Sequence, residues 1–367
     1  MKKPALLTLA AAAASVASVA SVALVGGTQA QALTVSASAT SVTASAARNT
    51  LATSIPSAAR TATTSADKRI RYVWVKECGK GDATVPCGPW TVTLANGKDV
   101  RLTDALVFSL TAKGKVDTGV MAPVTVSGDG NRVAYFRKPD GKLVVRDVAK
   151  GRVHVLPGSS AKPPKGVTMS DVVLTLSPDG EIVAIDYGDR NEKLPSLLVD
   201  LRSKKIGKLK GNLTVEGFSP DGKHVLTRRV TSENTTEFAA YDLDGNRTNS
   251  QVVPQVVANN SPIALADDGT SMALIINMSG TKRRLRTYDL ASDTVGDYVD
   301  VTAPKGEDAY SLRWTPDGGL ALWALRWDRE MNLRGVTLRG LDPATGATTK
   351  IDSFKLRSDL WNWYLPR

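Results

Sequence analysis

The tetrapeptide Ser177-Pro178-Asp179-Gly180 returns along the chain, and no other feature restricts the fold as strongly. It recurs as Ser219-Pro220-Asp221-Gly222 and Thr315-Pro316-Asp317-Gly318, with looser copies at Ser127-Gly128-Asp129-Gly130 and Ala266-Asp267-Asp268-Gly269. The turn glycines Gly130, Gly180, Gly222, Gly269 and Gly318 are separated by 50, 42, 47 and 49 residues. A period of this size marks an array of small sheets, each one supersecondary unit. One such tetrapeptide is only a turn, but five in register are an architecture.

Each repeat has the same internal order. An apolar run such as Val172 to Leu176 leads into the turn, where Pro presets φ and Gly accepts φ > 0. A second run follows at once: Ile182 to Ile185, Val225 to Thr227, Met272 to Ile276, Leu320 to Leu325. After a polar loop a third run ends in Asp200, Asp242 or Asp289, each 21 residues beyond its turn Asp. A turn and a short fourth run, such as Arg152 to Leu156, close the unit. Four short strands joined by turn chemistry make one antiparallel blade.

The Ser-Pro-Asp-Gly turn, the β-run behind it and the later aliphatic-Asp-Leu pair together resemble the WD-type (WD40-like) repeat of the TolB-like β-propeller family, over roughly residues 67 to 367. The resemblance implies an all-β propeller that docks to envelope proteins through one of its faces. In the family's namesake a separate N-terminal α/β domain precedes the propeller, and residues 33–66 show no counterpart of it.

The leading residues read as an export signal. Lys2 and Lys3 form a positive start, an apolar segment runs from Ala5 to about Val25, and Ala30-Gln31-Ala32 precedes a cut at Leu33. Residues 1–32 are therefore expected to be a signal peptide, with an uncleaved anchor as the competing reading, and the chain is expected to be secreted or associated with the cell envelope. No Cys follows the small residues, which argues against a lipoprotein. Residues 33–66 are dominated by Ala, Ser and Thr with only Arg48 and Arg60 charged, a composition too poor in large apolar groups to offset ordering entropy. They are expected to be a disordered tether, with the propeller domain over 67–367.

The two ends of that domain are complementary. Arg71 to Lys76, Trp90 to Leu94 and Asp99 to Leu102 match the second, third and fourth strands of a repeat, while Leu360 to Leu365 is a lone strand after the last full repeat. Ring closure solves both problems: the C-terminal strand supplies the innermost strand of the N-terminal blade and removes a free edge. The expectation is six blades. Cys78 and Cys87 flank the loop Gly79 to Pro86 of that blade, and in an exported chain they are expected to form a disulfide. Closing about ten residues stabilises by roughly 2.5–3 kcal/mol in the chain-entropy model.

Catalytic and cofactor chemistry leaves little trace. His154 and His224 have no Cys or His at metal-ligand spacing, and no nucleophile elbow or phosphate-binding glycine loop is present. Asp242 to Asn246 is read as a turn, since the later ligands of a calcium loop do not follow. No cofactor and no enzymatic activity are expected. The rival is an extracellular hydrolase or lyase at the channel mouth, which would need clustered carboxylates or a bound metal near Asp171 and Asp308.

Geometry sorts the connections of strands A to D in each blade. The A–B and C–D turns share one face and are tight; the B–C and D–A connections share the other and vary, as binding loops on a rigid scaffold do. The B–C segments 137–142, 187–196, 228–237, 277–284 and 326–335 carry +6 together, led by Arg137, Lys138, Lys282, Arg283 and Arg284. Ten residues before each turn Gly stand Val120, Ser170, Asn212, Asn259 and Asp308, with Asp171 and Asn260 beside two of them. These are expected to ring the channel mouth as a polar collar. The net charge of +11, or +9 without Lys2 and Lys3, favours acidic partners. Aromatic residues make up 5% and do not interleave with the basic loop residues, which speaks against nucleic acid. The reading is a monomeric, exported binding or adaptor module for an envelope or extracellular protein, with anionic wall polymer as the alternative ligand.

Overall fold

A computed structural model describes residues 68–80, 83–188, 193–211, 213–278, 282–330 and 332–367. The expected signal peptide and tether, residues 1–66, lie outside the described residues. Six four-stranded antiparallel sheets form the blades of a propeller. Blade 1 contains β1 (Ile70–Lys80), β2 (Ala83–Leu94), β3 (Asp99–Leu102) and, on its inner side, β26 (Leu360–Tyr364), in the order β26-β1-β2-β3. A two-stranded insertion follows, β4 (Phe108–Leu110) with β5 (Val116–Met121).

The other five blades are contiguous in sequence. Blade 2 holds β6 (Val124–Val126), β7 (Arg132–Phe136), β8 (Leu143–Asp147) and β9 (Val153–Val155); blade 3 holds β10 (Val172–Leu176), β11 (Ile182–Tyr187), β12 (Ser196–Asp200) and β13 (Ile206–Leu209). Blade 4 holds β14 (Thr214–Phe218), β15 (Val225–Val230), β16 (Thr236–Tyr241) and β17 (Arg247–Val252). Blade 5 holds β18 (Ile263–Leu265), β19 (Ser271–Asn277), β20 (Arg283–Asp289) and β21 (Thr294–Asp300). Blade 6 holds β22 (Glu307–Trp314), β23 (Leu320–Trp327), β24 (Leu333–Leu341) and β25 (Thr348–Phe354).

Middle strands are apolar without alternation because both sides of a blade are covered by neighbours. A cluster of buried apolar side chains fills each interface: Trp90 and Val92 with Val133 and Tyr135 between blades 1 and 2, Phe136 with Ile185 between 2 and 3, Leu198 with Val225 between 3 and 4. Phe238 with Met272, and Ile275 with Leu322, continue the series around the ring. At the closing seam Tyr72, Trp74, Trp323 and Val336 meet Tyr310, Phe354 and Trp363. Burying a side chain of this kind is worth about 1.5–3 kcal/mol, so the interfaces between blades carry most of the stability.

The repeated turn is more elaborate than a bend. Ser177 Oγ donates to Asp179 Oδ1 (2.7 Å) and accepts from the Ile182 amide (2.9 Å), while the Glu181 amide donates to the same carboxylate (3.0 Å). Gly180, at φ 68°, closes the turn by donating to the Ser177 carbonyl (2.8 Å). Ser127 with Asp129 and Ser219 with Asp221 repeat the arrangement. The turns also interlock: the Asp129 amide donates to the Pro178 carbonyl (2.8 Å), and the Asp221 amide donates to Asp267 (2.7 Å). A Cβ at Gly180 would lie 2.9 Å from Arg132 Cβ, so Gly is required there by contact as well as by φ.

The disulfide joins Cys78 to Cys87, and the expected loop between them is strand over 79–80 and 83–86. Strands β1 and β2 continue as a β-ribbon, with Cys78 opposite Val85 and Lys76 opposite Cys87. The bridge crosses this ribbon diagonally, with 5.8 Å between the two Cα atoms.

Two predictions follow from closure and from the turns. Deleting Leu360 onward exposes the β1 edge, and gel filtration with thermal denaturation should show oligomers or loss of the cooperative transition; a monomer of unchanged Tm would contradict closure. The second concerns acid. Burial pushes the Asp221 carboxyl up, but the Lys223 amide, the Ser219 hydroxyl and the Lys223 ammonium outweigh it and hold the group down to about 2. A carboxyl depressed in the folded state adds stability that is present above its unfolded value of about 4 and lost as pH falls through the folded value. The Tm should therefore decline from about pH 4 downward, and Asp221→Asn should lower Tm at pH 7 while flattening that decline.

Candidate functional site

The two faces of the ring differ in how their polar groups are used. On the A–B and C–D face the turns satisfy one another. Arg132 pairs with Glu181, and Arg202 reaches Asp179 (3.3 Å) and Glu181 (3.3 Å). The Leu201 amide donates to the Glu181 carbonyl (2.9 Å) and the Leu290 amide to the Thr270 carbonyl (3.0 Å). Asp242 accepts from the amides of Asp244 (3.0 Å) and Asn246 (2.8 Å), the turn expected of this stretch.

On the opposite face the connectors stand out. The disulfide-bridged ribbon, the β4–β5 insertion, the 158–171 connector and the helical turn Gln255–Ala258 all lie between strands B and C or between D and A. B–C links are shorter than expected, because the strands run on: only 231–235, 278–282 and 328–332 separate β15 from β16, β19 from β20 and β23 from β24.

That extension relocates two residues expected in loops. Arg283 lies in β20, 7% exposed, and donates to Asp308 (2.7 Å) on β22 of the next blade. The pair ties blade 5 to blade 6. Arg284 is half-buried, donates to Asp300 (3.0 Å) and stacks on Tyr298 (3.8 Å). Lys282 and Lys138 are exposed, and Arg137 is engaged by Asp140 (2.6 Å) three residues on. That guanidinium, against a smaller opposing effect of burial and with help from the Lys142 amide, holds the Asp140 carboxyl down to about 2.

The collar residues are dispersed among several roles. Ser170 is exposed and shares a hydrogen bond with Thr168 (2.7 Å), while Asp171 and Thr168 form a capping box around a short 3-10 turn. Asn259 is exposed at the end of the helical turn, and Asn260 Nδ2 donates to the Val256 carbonyl (2.8 Å). Val120 belongs to β5 rather than to an inner-strand entry. Asp308 is 63% exposed in its side chain and sits at the second position of β22. Asn212 lies outside the described residues.

Inner strands from blades 2 to 6 surround a channel cavity of about 390 Å³, lined by Thr125, Thr175, Thr214, Glu216, Tyr310 and Arg313 among others. Glu216 lies 2.8 Å from Arg228; burial pushes its carboxyl up against the pull of that guanidinium. Burial pushes the Arg313 guanidinium down, opposed by Asp129. Among the described residues no group of three or more His, Cys, Asp or Glu side chains converges on a metal site.

Sequence reasoning missed three features of this face: the β4–β5 insertion, the ribbon beyond Lys76, and the buried network at the blade 5–6 seam. In that network Arg339 donates to Glu307 (2.7 and 3.2 Å) and the Thr337 hydroxyl joins it (3.0 Å). Burial pushes the Glu307 carboxyl up, and Arg339 with Thr337 reverses this. Only the short apolar runs around Gly114 could have signalled the insertion.

The chain was compared with known proteins. No family model matches it. Solved structures that resemble it include TolB from Acinetobacter baumannii, 16% identical, covering 82% of this chain and 67% of that one with a TM-score of 0.43. A putative TolB from Agrobacterium tumefaciens is 13% identical over 78% of this chain and 90% of that one, also with a TM-score of 0.43. The likeness is one of fold. Among curated proteins, LL-diaminopimelate aminotransferase of Agathobacter rectalis is 26% identical over 141 residues, 35% of this chain and 34% of that protein. The chain thus spans about a third of that relative's length, and the match carries no activity across.

The Arg283–Asp308 geometry yields a stability prediction. Asp308→Ala leaves a buried guanidinium without its carboxylate and should destabilise the chain by about 1–3 kcal/mol, the exposure of Asp308 keeping the cost below that of a fully buried pair. Arg284→Ala should cost under about 1 kcal/mol, because Asp300 is well exposed. Urea denaturation of the two variants checks the order. Charge reversal at Arg283 is accordingly a test of folding before it is a test of binding.

Proposed function

We propose that the chain is an exported, non-catalytic binding module that engages an envelope or extracellular protein through its B–C and D–A face. The observation that carries this reading is the asymmetry of the faces. Carboxylates and backbone groups of the Asp-Gly turns are largely engaged in hydrogen bonds and ion pairs within and between turns, leaving exposed lysines such as Lys204 and Lys205 as the free groups of that face among the described residues. The opposite face offers extended connectors on a rigid ring and exposed lysines at 113, 115, 138, 162, 165 and 282. Exposed apolar side chains, Val120, Val230, Met278 and Trp361, stand among the same connectors and at strand ends leading into them. Exposed apolar groups with a polar rim are the composition of a protein-binding patch.

The disulfide supports an oxidising compartment, and the described residues include no helix long and apolar enough to cross a membrane. Amine-reactive crosslinking of the tagged chain on intact cells, read by mass spectrometry, tests the proposal. Links to a reproducible protein partner should fall on Lys113, Lys115, Lys138, Lys162, Lys165 or Lys282. Links confined to Lys150, Lys204 and Lys223, on the turn face, would overturn it.

A further inference from the structure

Three connectors of the B–C and D–A face meet over blades 2 and 3 and line an open groove of about 210 Å³. Leu110 from β4 and Val167 with Met169 from the 158–171 connector line it, and Pro163 and Pro164 complete its wall. Gly141, at φ 63°, faces Leu110; a Cβ there would lie 3.3 Å from Leu110 Cδ1 and narrow the space between them. The lining joins these aliphatic groups to Thr111, Asp140, Lys162 and Lys165, with Asp140 already held by Arg137. No aromatic ring offers a platform on which a sugar would stack.

Charge around this groove is one-sided. Segments 108–121, 137–142 and 158–171 hold Lys113, Lys115, Arg137, Lys138, Lys142, Lys162 and Lys165 against only Asp117, Asp140 and Asp171. All three carboxylates are occupied locally: Asp117 accepts the Gly119 amide (3.0 Å), Asp140 holds Arg137, and Asp171 closes its capping box. Lys162 and Lys165 line the groove itself and are exposed, as are Lys113 and Lys115 on the hairpin tip beside it. No ion pair occupies any of these four among the described residues.

We infer that an acidic segment of a partner polypeptide docks in this groove, with one aliphatic side chain inserted and carboxylates on either side of it against the lysine rim. The inference rests on the protein-binding reading of this face and names the chemistry of the partner. Volume limits what enters to a side chain or two, the aliphatic wall of Leu110, Val167, Met169 and the two prolines favours an apolar one, and the exposed lysines at the rim select flanking acids and draw them in over a Debye length. The chain's own leader and tether do not supply the ligand, since residues 1–66 contain neither Asp nor Glu.

The test uses the full chain and fluorescein-labelled nonapeptides read by anisotropy at 50 mM salt. One peptide has a central Leu flanked by Asp on both sides, a second replaces the Leu by Ser, and a third replaces the Asp residues by Lys. Burying the Leu should make the first bind about tenfold tighter than the second. Binding of the third should be undetectable. The variant Lys162→Glu with Lys165→Glu should weaken the first peptide by at least about tenfold at unchanged Tm, while Lys204→Glu with Lys205→Glu, on the turn face, leaves it alone.

Equal binding of the Leu and Ser peptides would overturn the inference in favour of general attraction of polyanions, such as wall polymer or a lipid surface. Loss through Lys204 and Lys205 would overturn it likewise. The two levels of the account separate cleanly. If the peptides fail but cellular crosslinks fall on Lys138 and Lys282, the groove is wrong and the face stands; if crosslinks fall on the turn face, both are wrong.

Discussion

Everything in this molecule depends on the pairing of β26 with β1. Trp363 lies opposite Trp74 and Tyr364 opposite Val73, so the last residues of the chain complete the first blade. The seam is then filled by aromatic side chains: Tyr72 stacks on Phe354 (5.5 Å), Tyr310 meets Trp363 (5.8 Å), and Trp323 lies edge-on to Phe354 (6.2 Å). Arg71 adds a two-pronged bond to Asp352 (2.9 and 3.0 Å) from β25 and passes over the Phe354 ring (5.4 Å). In a chain with few aromatic residues, their concentration at the closure site has a physical reason. Every other blade interface joins neighbours in sequence, whereas this one must overcome the loop entropy of nearly the whole domain.

Closure also fixes the division of labour between the faces. Once the ring is shut, each Ser-x-Asp-Gly turn sits against its neighbour, and a turn that accepts bonds from the next blade cannot also accept a partner. The carboxylates there are acceptors for amides and hydroxyls of their own turn. Variation in length is then tolerated only on the other face, where the ribbon, the β4–β5 hairpin and the 158–171 connector are found. Binding capacity follows from that freedom, since connectors held by a rigid ring keep their positions without being ordered anew on contact.

The fold was legible because its signal is local and repeated. Asp179 and Gly180 announce a turn, the five copies announce a propeller, and the unmatched strands at the two ends announce ring closure. The site was less legible because its determinants are spatial. Arg283 and Arg284 read as a basic loop, but β20 starts at Arg283 and its guanidinium finds Asp308 on another blade. Arg137 read as free charge although Asp140 stands three residues away in the same turn. The cysteines read as flanking the loop Gly79 to Pro86, yet Cys78 pairs with Val85 and Gly79 with Thr84. The lysine-rimmed groove has no linear signature at all, since Leu110, Gly141 and Met169 come from three separate connectors.

Amide hydrogen exchange on the purified chain, followed peptide by peptide, tests closure and the asymmetry of the faces together. The account predicts that 362–364 exchanges as slowly as 73–75, in one unit with the turns at Gly130 and Gly180, while 111–120 and 158–166 exchange sooner. Rapid exchange of 362–364 with protection elsewhere intact would mean that β26 is a loose tail, and would contradict the closed ring on which both faces depend.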